Sequence, residues 1–234
     1  MINIDFLKSE AENIGIHLDS KALKRFDLFA ELLVEWNNKM NLTAITEPDD
    51  IVVKHFIDSI TPLAHFDIAN SAKVIDVGCG AGFPSLPLLI ARPDLNITFF
   101  DALEKRLKFI DVVLDALELD GELVHGRAED FGNNADFREK YDYAFTRAVA
   151  PLNVLAEYCL PFVKVGGSYI SMKGADDETA LGKNAIQELG GAIDNVVQLK
   201  LSNGDSRNLI LIKKISQSSP KYPRKSKKIA SKPL

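Results

Sequence analysis

The nine residues Val74-Ile-Asp-Val-Gly-Cys-Gly-Ala-Gly82 constrain this chain more than any other stretch. They open as an apolar run suited to a buried strand and close on glycines at 78, 80 and 82. Glycine at alternate positions leaves no side chains where a backbone must turn sharply and let a ligand approach. A dinucleotide fingerprint, G-x-G-x-x-G, sets its third glycine one position later and places a pyrophosphate at the following helix. Here the spacing is G-x-G-x-G, and an acid, Asp76, stands just before it. A carboxylate there repels a pyrophosphate and suits a cationic amino-acid group. S-adenosylmethionine, with its ammonium and sulfonium and no phosphate, fits that requirement. The alternative is a tight strand-to-helix turn with no ligand.

The surrounding pattern supports a doubly covered sheet. Short apolar runs occur at Val74–Val77, Ile97–Phe100, Glu122–Val124, Tyr143–Thr146 and Ser168–Met172. Gaps long enough for crossover helices separate them, with helices expected over Leu103–Leu119 and Pro151–Phe162. Two further runs, Val196–Leu201 and Leu209–Ile215, are separated only by a short segment containing Asn203-Gly204, which predicts an antiparallel pair. Upstream, Leu23, Phe26, Leu33 and Trp36 recur at helical spacing behind a cap at Asp19 or Ser20. Pro48 opens a second helix running to about Ile60. The expected architecture is α/β: a Rossmann-like, mostly parallel sheet with an antiparallel C-terminal hairpin and an N-terminal helical extension, the outline of a class I S-adenosylmethionine-dependent methyltransferase. The expected divisions are 1–65 for the extension, 66–215 for the methyltransferase domain and 216–234 for a basic tail.

Asp101 ends the second run, 19 residues beyond Gly82. A carboxylate there can accept both ribose hydroxyls of a nucleoside, or it can cap the next helix. The loop Gly126-Arg-Ala-Glu-Asp130 follows the third run, where the amides of Ala128 and Glu129 can read an adenine edge. The plainer reading is a polar loop capping a short helix. The expected cofactor set is Asp76, Gly78, Gly80, Gly82, Phe83, Asp101, Ala128, Glu129 and Arg147. Phe83 either packs over the cofactor or belongs to the core. His55 and Asp58, three apart on a helix, share a face and suit either a structural hydrogen bond or a substrate role.

Charge is uneven. The chain carries a net −5, yet residues 216–234 hold six basic side chains and no acid, leaving residues 1–215 at −11. Such asymmetry suits an anionic partner, or a solvated end that only aids solubility. Lys105, Arg106, Arg127, Lys173, Arg207, Lys221, Arg224 and Lys225 are the candidates for an RNA-facing basic set. Two cysteines, Cys79 and Cys159, are too few for a disulfide framework or a zinc ribbon and are read as reduced thiols. No metal site, membrane span or secretory leader is expected, and the protein is expected in the cytoplasm as a monomer.

The acceptor is constrained by what the sequence lacks. The Asn/Asp-Pro-Pro-aromatic motif of exocyclic-amine methylation is absent after the fourth run, which reads Phe145-Thr-Arg-Ala-Val-Ala-Pro151. Cys79 lies in the glycine loop and Cys159 in an expected helix, poor places for the nucleophile that cytosine C5 methylation needs. A ring nitrogen with a free lone pair requires only positioning.

Several motifs together resemble one family. Asn41-Leu-Thr-Ala-Ile-Thr46, Lys54-His-Phe-Ile-Asp-Ser59 and Asp76-Val-Gly-Cys-Gly-Ala-Gly-Phe-Pro-Ser85 are similar to the RsmG (GidB) family, as are Lys105-Arg106, Arg127-Ala-Glu129, Thr146-Arg-Ala-Val-Ala150 and the tail fragment Lys221-Tyr-Pro-Arg-Lys225. The resemblance implies methylation of N7 of one guanine in 16S rRNA of the small ribosomal subunit. It places cofactor contacts on Gly78, Phe83, Ala128, Glu129 and Arg147. Arg147, at the end of the fourth run, is also the catalytic candidate: a guanidinium there can fix the cofactor or a phosphate, or simply pair with a nearby acid. Left open beside it are a methyltransferase of small molecules, a non-catalytic RNA-binding module and, disfavoured by glycine spacing, NAD-linked oxidoreduction.

Overall fold

The computed structural model describes residues 1–147 and 150–234. Ala148 and Val149, inside one of the motifs quoted above, lie outside the described residues. Two helices open the chain: α1 (Ile4–Asn13) and α2 (Ser20–Asn37). Asp19 caps α2 as its sequence suggests, its Oδ1 accepting from the Ala22 amide at 2.7 Å. Next come α3 (Pro48–Asp50), a π-helical segment over Ile51–Ile57 and α4 (Asp58–His65). The single helix expected from Pro48 to about Ile60 is thus interrupted by a π-helical turn.

Among the described residues, seven strands and six more helices follow: β1 (Lys73–Val77), α5 (Ser85–Ala91), β2 (Asn96–Asp101), α6 (Glu104–Leu117), β3 (Glu122–His125), α7 (Ala128–Phe131), β4 (Tyr141–Arg147), α8 (Leu152–Cys159), β5 (Val163–Lys173), α9 (Thr179–Glu188), β6 (Gly191–Lys200), β7 (Ser206–Lys214) and α10 (Ser226–Ser231). The sheet order is β3-β2-β1-β4-β5-β7-β6. The first five strands are parallel, β7 is antiparallel to β5, and β6 is antiparallel to β7. The hairpin is therefore as expected, but its second strand is the inner one. Leu209, Ile210 and Ile212 of β7 are buried. The outer strand β6 carries Asp194, Asn195, Gln198 and Lys200, which keep an exposed edge soluble.

Each face of the sheet has its own core. One face packs on α1, α2, the π-helical segment, α5 and α6. The other packs on α8 and α9, with Tyr222 from the C-terminal segment. The N-terminal helices share the first core with the sheet: Phe29 lies 5.5 Å from Phe56, 5.4 Å from Phe83 and 6.4 Å from Phe109, ring centre to ring centre. The C-terminal segment is folded, with Tyr222 and Ile229 buried.

This topology creates the site. From β1 the chain moves to β2 and β3 on one side, then returns to β4 on the other. Open α/β sheets bind ligands outside the carboxyl ends of their strands at such a switch point. Asp76, two residues before the glycine at 78, pairs in register with Phe145 on β4, and Asp101 pairs with His125 on β3. The ends of β1, β2, β3 and β4 thus bring Asp76, Asp101, the 126–129 loop and Arg147 to one edge.

Candidate cofactor site at the strand ends

The glycine loop adopts the backbone its composition anticipates. Gly78, Gly80 and Gly82 have φ of 79°, 58° and 85°, a region costly for L side chains. Gly82 serves packing, since a Cβ there would fall 2.3 Å from Leu86 Cδ1 on α5. At Gly80 the nearest atom to such a Cβ is the Gly78 carbonyl oxygen at 3.9 Å, so an open cradle lies above the loop. Asp101 holds the cradle's shape: its Oδ2 accepts from the Gly80 amide at 2.9 Å and its Oδ1 from the Leu103 amide at 2.8 Å. The N-cap residue of α6 is Leu103, so Asp101 secures the approach to that helix and the glycine loop together.

Asp76 is the anomaly of the site. It is fully buried, and neither carboxylate oxygen has a hydrogen-bond partner among the described residues. Ser85 faces it, but its hydroxyl is outside hydrogen-bonding geometry and is also unpartnered. Burial pushes the Asp76 carboxyl up to about 7, only partly offset by Ser85 and the charge of Arg147. Buried acids are normally paired, so an orphan of this kind beside an open loop has the chemistry to take a cation.

Arg147, at the end of β4, faces a second structure. Its Nη1 donates to the carbonyl oxygens of Lys54 (3.1 Å) and His55 (3.3 Å) and lies 3.5 Å from Asp58 Oδ2; its Nη2 lies 3.1 Å from His55 Nδ1. The π-helical turn explains these contacts. Its i→i+5 pairing, with the Asp58 amide shared between the Val53 and His55 carbonyls, turns the Lys54 and His55 carbonyls towards the guanidinium. A guanidinium only donates, so His55 Nδ1 must accept, which leaves the proton on Nε2 for Thr43 Oγ1 at 2.8 Å. Burial and then the Arg147 charge hold the His55 pKa at about 3, in keeping with a permanently neutral ring. The His55 ring stacks on Phe83 at 4.3 Å, and the Arg147 guanidinium carbon lies 4.7 Å from the same ring centre. Because His55 and Arg147 touch each other, both lie over one face of Phe83.

The sequence profile described as rRNA small subunit methyltransferase G (GidB) matches residues 22–210, spanning the glycine loop, Asp101 and Arg147. The chain belongs to this family. It is accordingly an S-adenosylmethionine-dependent methyltransferase that modifies small-subunit ribosomal RNA. Proteins named ribosomal RNA small subunit methyltransferase G are similar over nearly their whole lengths. The protein from Caldanaerobacter subterraneus subsp. tengcongensis is 45% identical, covering 99% of this chain and 98% of that one. The protein from Leuconostoc mesenteroides is 46% identical over all of both chains. Among solved structures, TrmN from Thermus thermophilus matches with TM-score 0.54 at 17% identity, over 68% of this chain and 48% of that one. Precorrin-6y C5,15-methyltransferase from Geobacter metallireducens matches with TM-score 0.52 at 15% identity, over 73% and 90%. These last two establish the class I methyltransferase fold.

The residues present fit the family's cofactor. Asp76 supplies an unpaired carboxylate for an ammonium, and the loop offers bare backbone. The first-turn amides of α7, Ala128 and Glu129, have no intrahelical acceptor. The Phe83 ring, 7% exposed, is packed in the core, which favours the core reading of that residue.

The proposed RNA-facing set divides in two. Lys105 and Arg127 are exposed, and Arg106 is half-exposed beside Asp101 at 3.4 Å. Lys221 and Lys225 are exposed at the rim, near Glu188 and Asp130 respectively. The other three are engaged by carboxylates of the fold, and of them only Lys173 is buried away from an RNA partner, contrary to the expectation for it. Lys173 is buried, donates to the Ala150 carbonyl and pairs with Glu178 at 3.0 Å. Arg207 bridges Asp58 at 3.1 Å and Asp205 at 3.5 Å. Arg224 forms a bidentate pair with the fully buried Glu157, its Nη2 at 2.6 Å from Oε2. A basic residue in sequence does not reveal a carboxylate waiting far along the chain. The side chains of His55 and Asp58 do not bond each other, although the Asp58 amide donates to the His55 carbonyl; both side chains meet Arg147 instead. Thr43 and Ser85 were not singled out, although both lie inside the family motifs.

Among the described residues no helix is long and apolar enough to cross a membrane. Cys79 and Cys159 are buried, and burial pushes both thiols up, away from nucleophilic thiolates.

Proposed function

We propose that this chain transfers a methyl group to N7 of a single guanine in 16S rRNA. The observation that carries the choice of atom is the commitment of His55. Its Nδ1 is held by Arg147 and its Nε2 by Thr43, so the imidazole at this site is not poised to take a proton. Guanine N7 needs none. Its lone pair would take the methyl group, the sulfonium of bound S-adenosylmethionine would leave as a neutral thioether, and the positive charge would pass to the base. S-adenosylmethionine supplies the activated methyl group. The chain's own task is orientation and exclusion of water.

In this reading Asp76 holds the ammonium, Gly78, Gly80 and Gly82 give the ligand backbone to lie against, and Asp101 shapes the loop while offering remaining lone pairs to ribose hydroxyls. Ala128 and Glu129 read the adenine edge. Arg147 locks the β4 end, His55 and Phe83 into one unit beside the methyl donor. The exposed Lys105, Arg127, Lys221 and Lys225 and the half-exposed Arg106 meet RNA phosphates, with the chain acting as a cytoplasmic monomer.

Two predictions arise here. Asp76 binds an ammonium only when ionised, and its pKa in the free protein is about 7. S-adenosylmethionine affinity is therefore expected to hold above pH 7 and to weaken by about tenfold per unit below it. Calorimetric titration between pH 5.5 and 8.5 checks this; a flat profile removes Asp76 from ammonium binding. Replacing Lys105 and Arg127 together with alanine should weaken small-subunit binding and lower the salt dependence of log K by about two. An unchanged slope places the RNA elsewhere.

The deciding experiment supplies labelled S-adenosylmethionine with 16S rRNA and with small subunits from cells lacking the protein. Borohydride and aniline treatment then cuts the product at 7-methylguanosine. One cut in 16S rRNA is expected. Label without a cut would reject N7, and no label in either substrate would favour a small-molecule acceptor.

A further inference from the structure

Beyond β7 the chain does not trail into solvent; it is fastened along its length as a strap. The Ile215 and Ser216 amides donate to the Gly190 carbonyl at 2.8 and 3.0 Å. Ser218 donates through Oγ to the Leu189 carbonyl and through its amide to Glu139 Oε1 at 2.9 Å, while Lys214 donates to its Oγ. These contacts sit at the amino-terminal edge of the parallel strands. From there the strap climbs past α8, where Arg224 grips Glu157, and reaches α7, where Lys225 lies 3.1 Å from Asp130.

Its densest contacts are with the residues that close α7. Arg138 ties the two together: Nη1 donates to the Gly132 carbonyl at 2.7 Å and to the Tyr222 carbonyl at 2.8 Å, and Nη2 to Ser218 at 2.6 Å. Asn133 bridges them again, with Nδ2 donating to the carbonyls of Glu129 and Pro223, each at 3.1 Å. Pro223 rests on Gly132 so closely that a Cβ there would lie 2.9 Å from its Cγ. A four-residue helix such as α7 has little stability of its own. Phe131 anchors its end among Phe100 and Phe137, and these outside partners hold the turn that follows.

We propose that the C-terminal strap is a positioning element for the adenine end of the cofactor site, acting through Asn133 and Arg138 on α7. This rests on the reading above in which Ala128 and Glu129 meet the adenine edge. The strap fixes the direction of their amides, so it governs base recognition and leaves the Asp76 end untouched. Asn133 and Arg138 are positioning residues, since neither reaches the ligand in this arrangement.

The test compares S-adenosylhomocysteine with S-inosylhomocysteine, which differ at the adenine edge and share everything else. The wild type is expected to prefer the adenine form. In Asn133→Ala that preference should shrink by about tenfold, the effect of one mispositioned hydrogen bond, with S-inosylhomocysteine affinity unchanged. Truncation after Gln217 should do the same or more. Leu7→Ala, a buried change on α1, serves as the control for general loosening and should leave the preference intact. Intact discrimination in both strap variants, or a parallel loss for both ligands, overturns the proposal. A wild type that binds both ligands equally would instead bring down the adenine reading on which it stands.

Discussion

Asp76→Asn is expected to weaken S-adenosylmethionine binding by about a hundredfold or more at pH 8, as for removing one charge from a buried pair. The same change is expected not to lower thermal stability at that pH. The two outcomes come from one fact: the carboxylate is fully buried without a partner in the free protein. Its folded pKa, about 7, is above the ordinary 3.8. The folded chain therefore holds a proton that the unfolded chain releases, and wild-type stability falls as pH rises from about 4 to about 7. Asparagine is neutral throughout and should flatten that part of the stability profile. Calorimetry and thermal melts from pH 4 to 8 measure both. Tight binding by the variant, or an unfolded variant at pH 8, would show that Asp76 is structural and not reserved for a cation.

Arg147→Ala should affect both stability and turnover. Removing the guanidinium takes a donor from the Lys54 carbonyl and from His55 Nδ1 and leaves Asp58 with Arg207 alone, while the His55 carbonyl keeps the Ser59 hydroxyl and the Asp58 amide. Breaking a buried ion pair of this kind costs about 3–5 kcal/mol. Turnover should fall by about a thousandfold or more, since the β4 end, His55 and Phe83 are no longer held as one unit. Arg147→Lys separates the two effects. It keeps the charge near Asp58 but cannot reach His55 Nδ1 and two carbonyls together. It should regain most of the stability and remain about tenfold or more below wild-type kcat. Full kcat in the lysine variant would mean that only charge is needed; wild-type turnover in the alanine variant would remove Arg147 from the mechanism.

The parts of the site that were legible in sequence are the local ones. The glycine loop, Asp76 before it, Asp101 at the end of β2 and the 126–129 loop depend on a few adjacent residues and on where a strand stops. Strand and helix alternation was legible because burial on both faces of a parallel sheet leaves near-continuous apolar runs, and the antiparallel pair because its two runs are nearly adjacent. The interruption of the helix beginning at Pro48 was not legible. Nothing in Ile51–Ile57 itself demands π pairing; Arg147, 92 residues from His55, supplies the donors that sustain it.

The same distinction separates the charges. Composition could say that the body is acidic and residues 216–234 basic. It could not say that Arg207 would find Asp58 from 149 positions away, that Arg224 would find Glu157 from 67, or that Lys173 would be buried against Glu178. Sequence determined the cofactor half of this protein because backbone conformation and hydrophobic period are set over a few residues. Only the tertiary structure decided which cations remain in solvent, what holds the β4 end and what steadies α7, because a charge is spoken for only once the fold has brought its partner within about 4 Å.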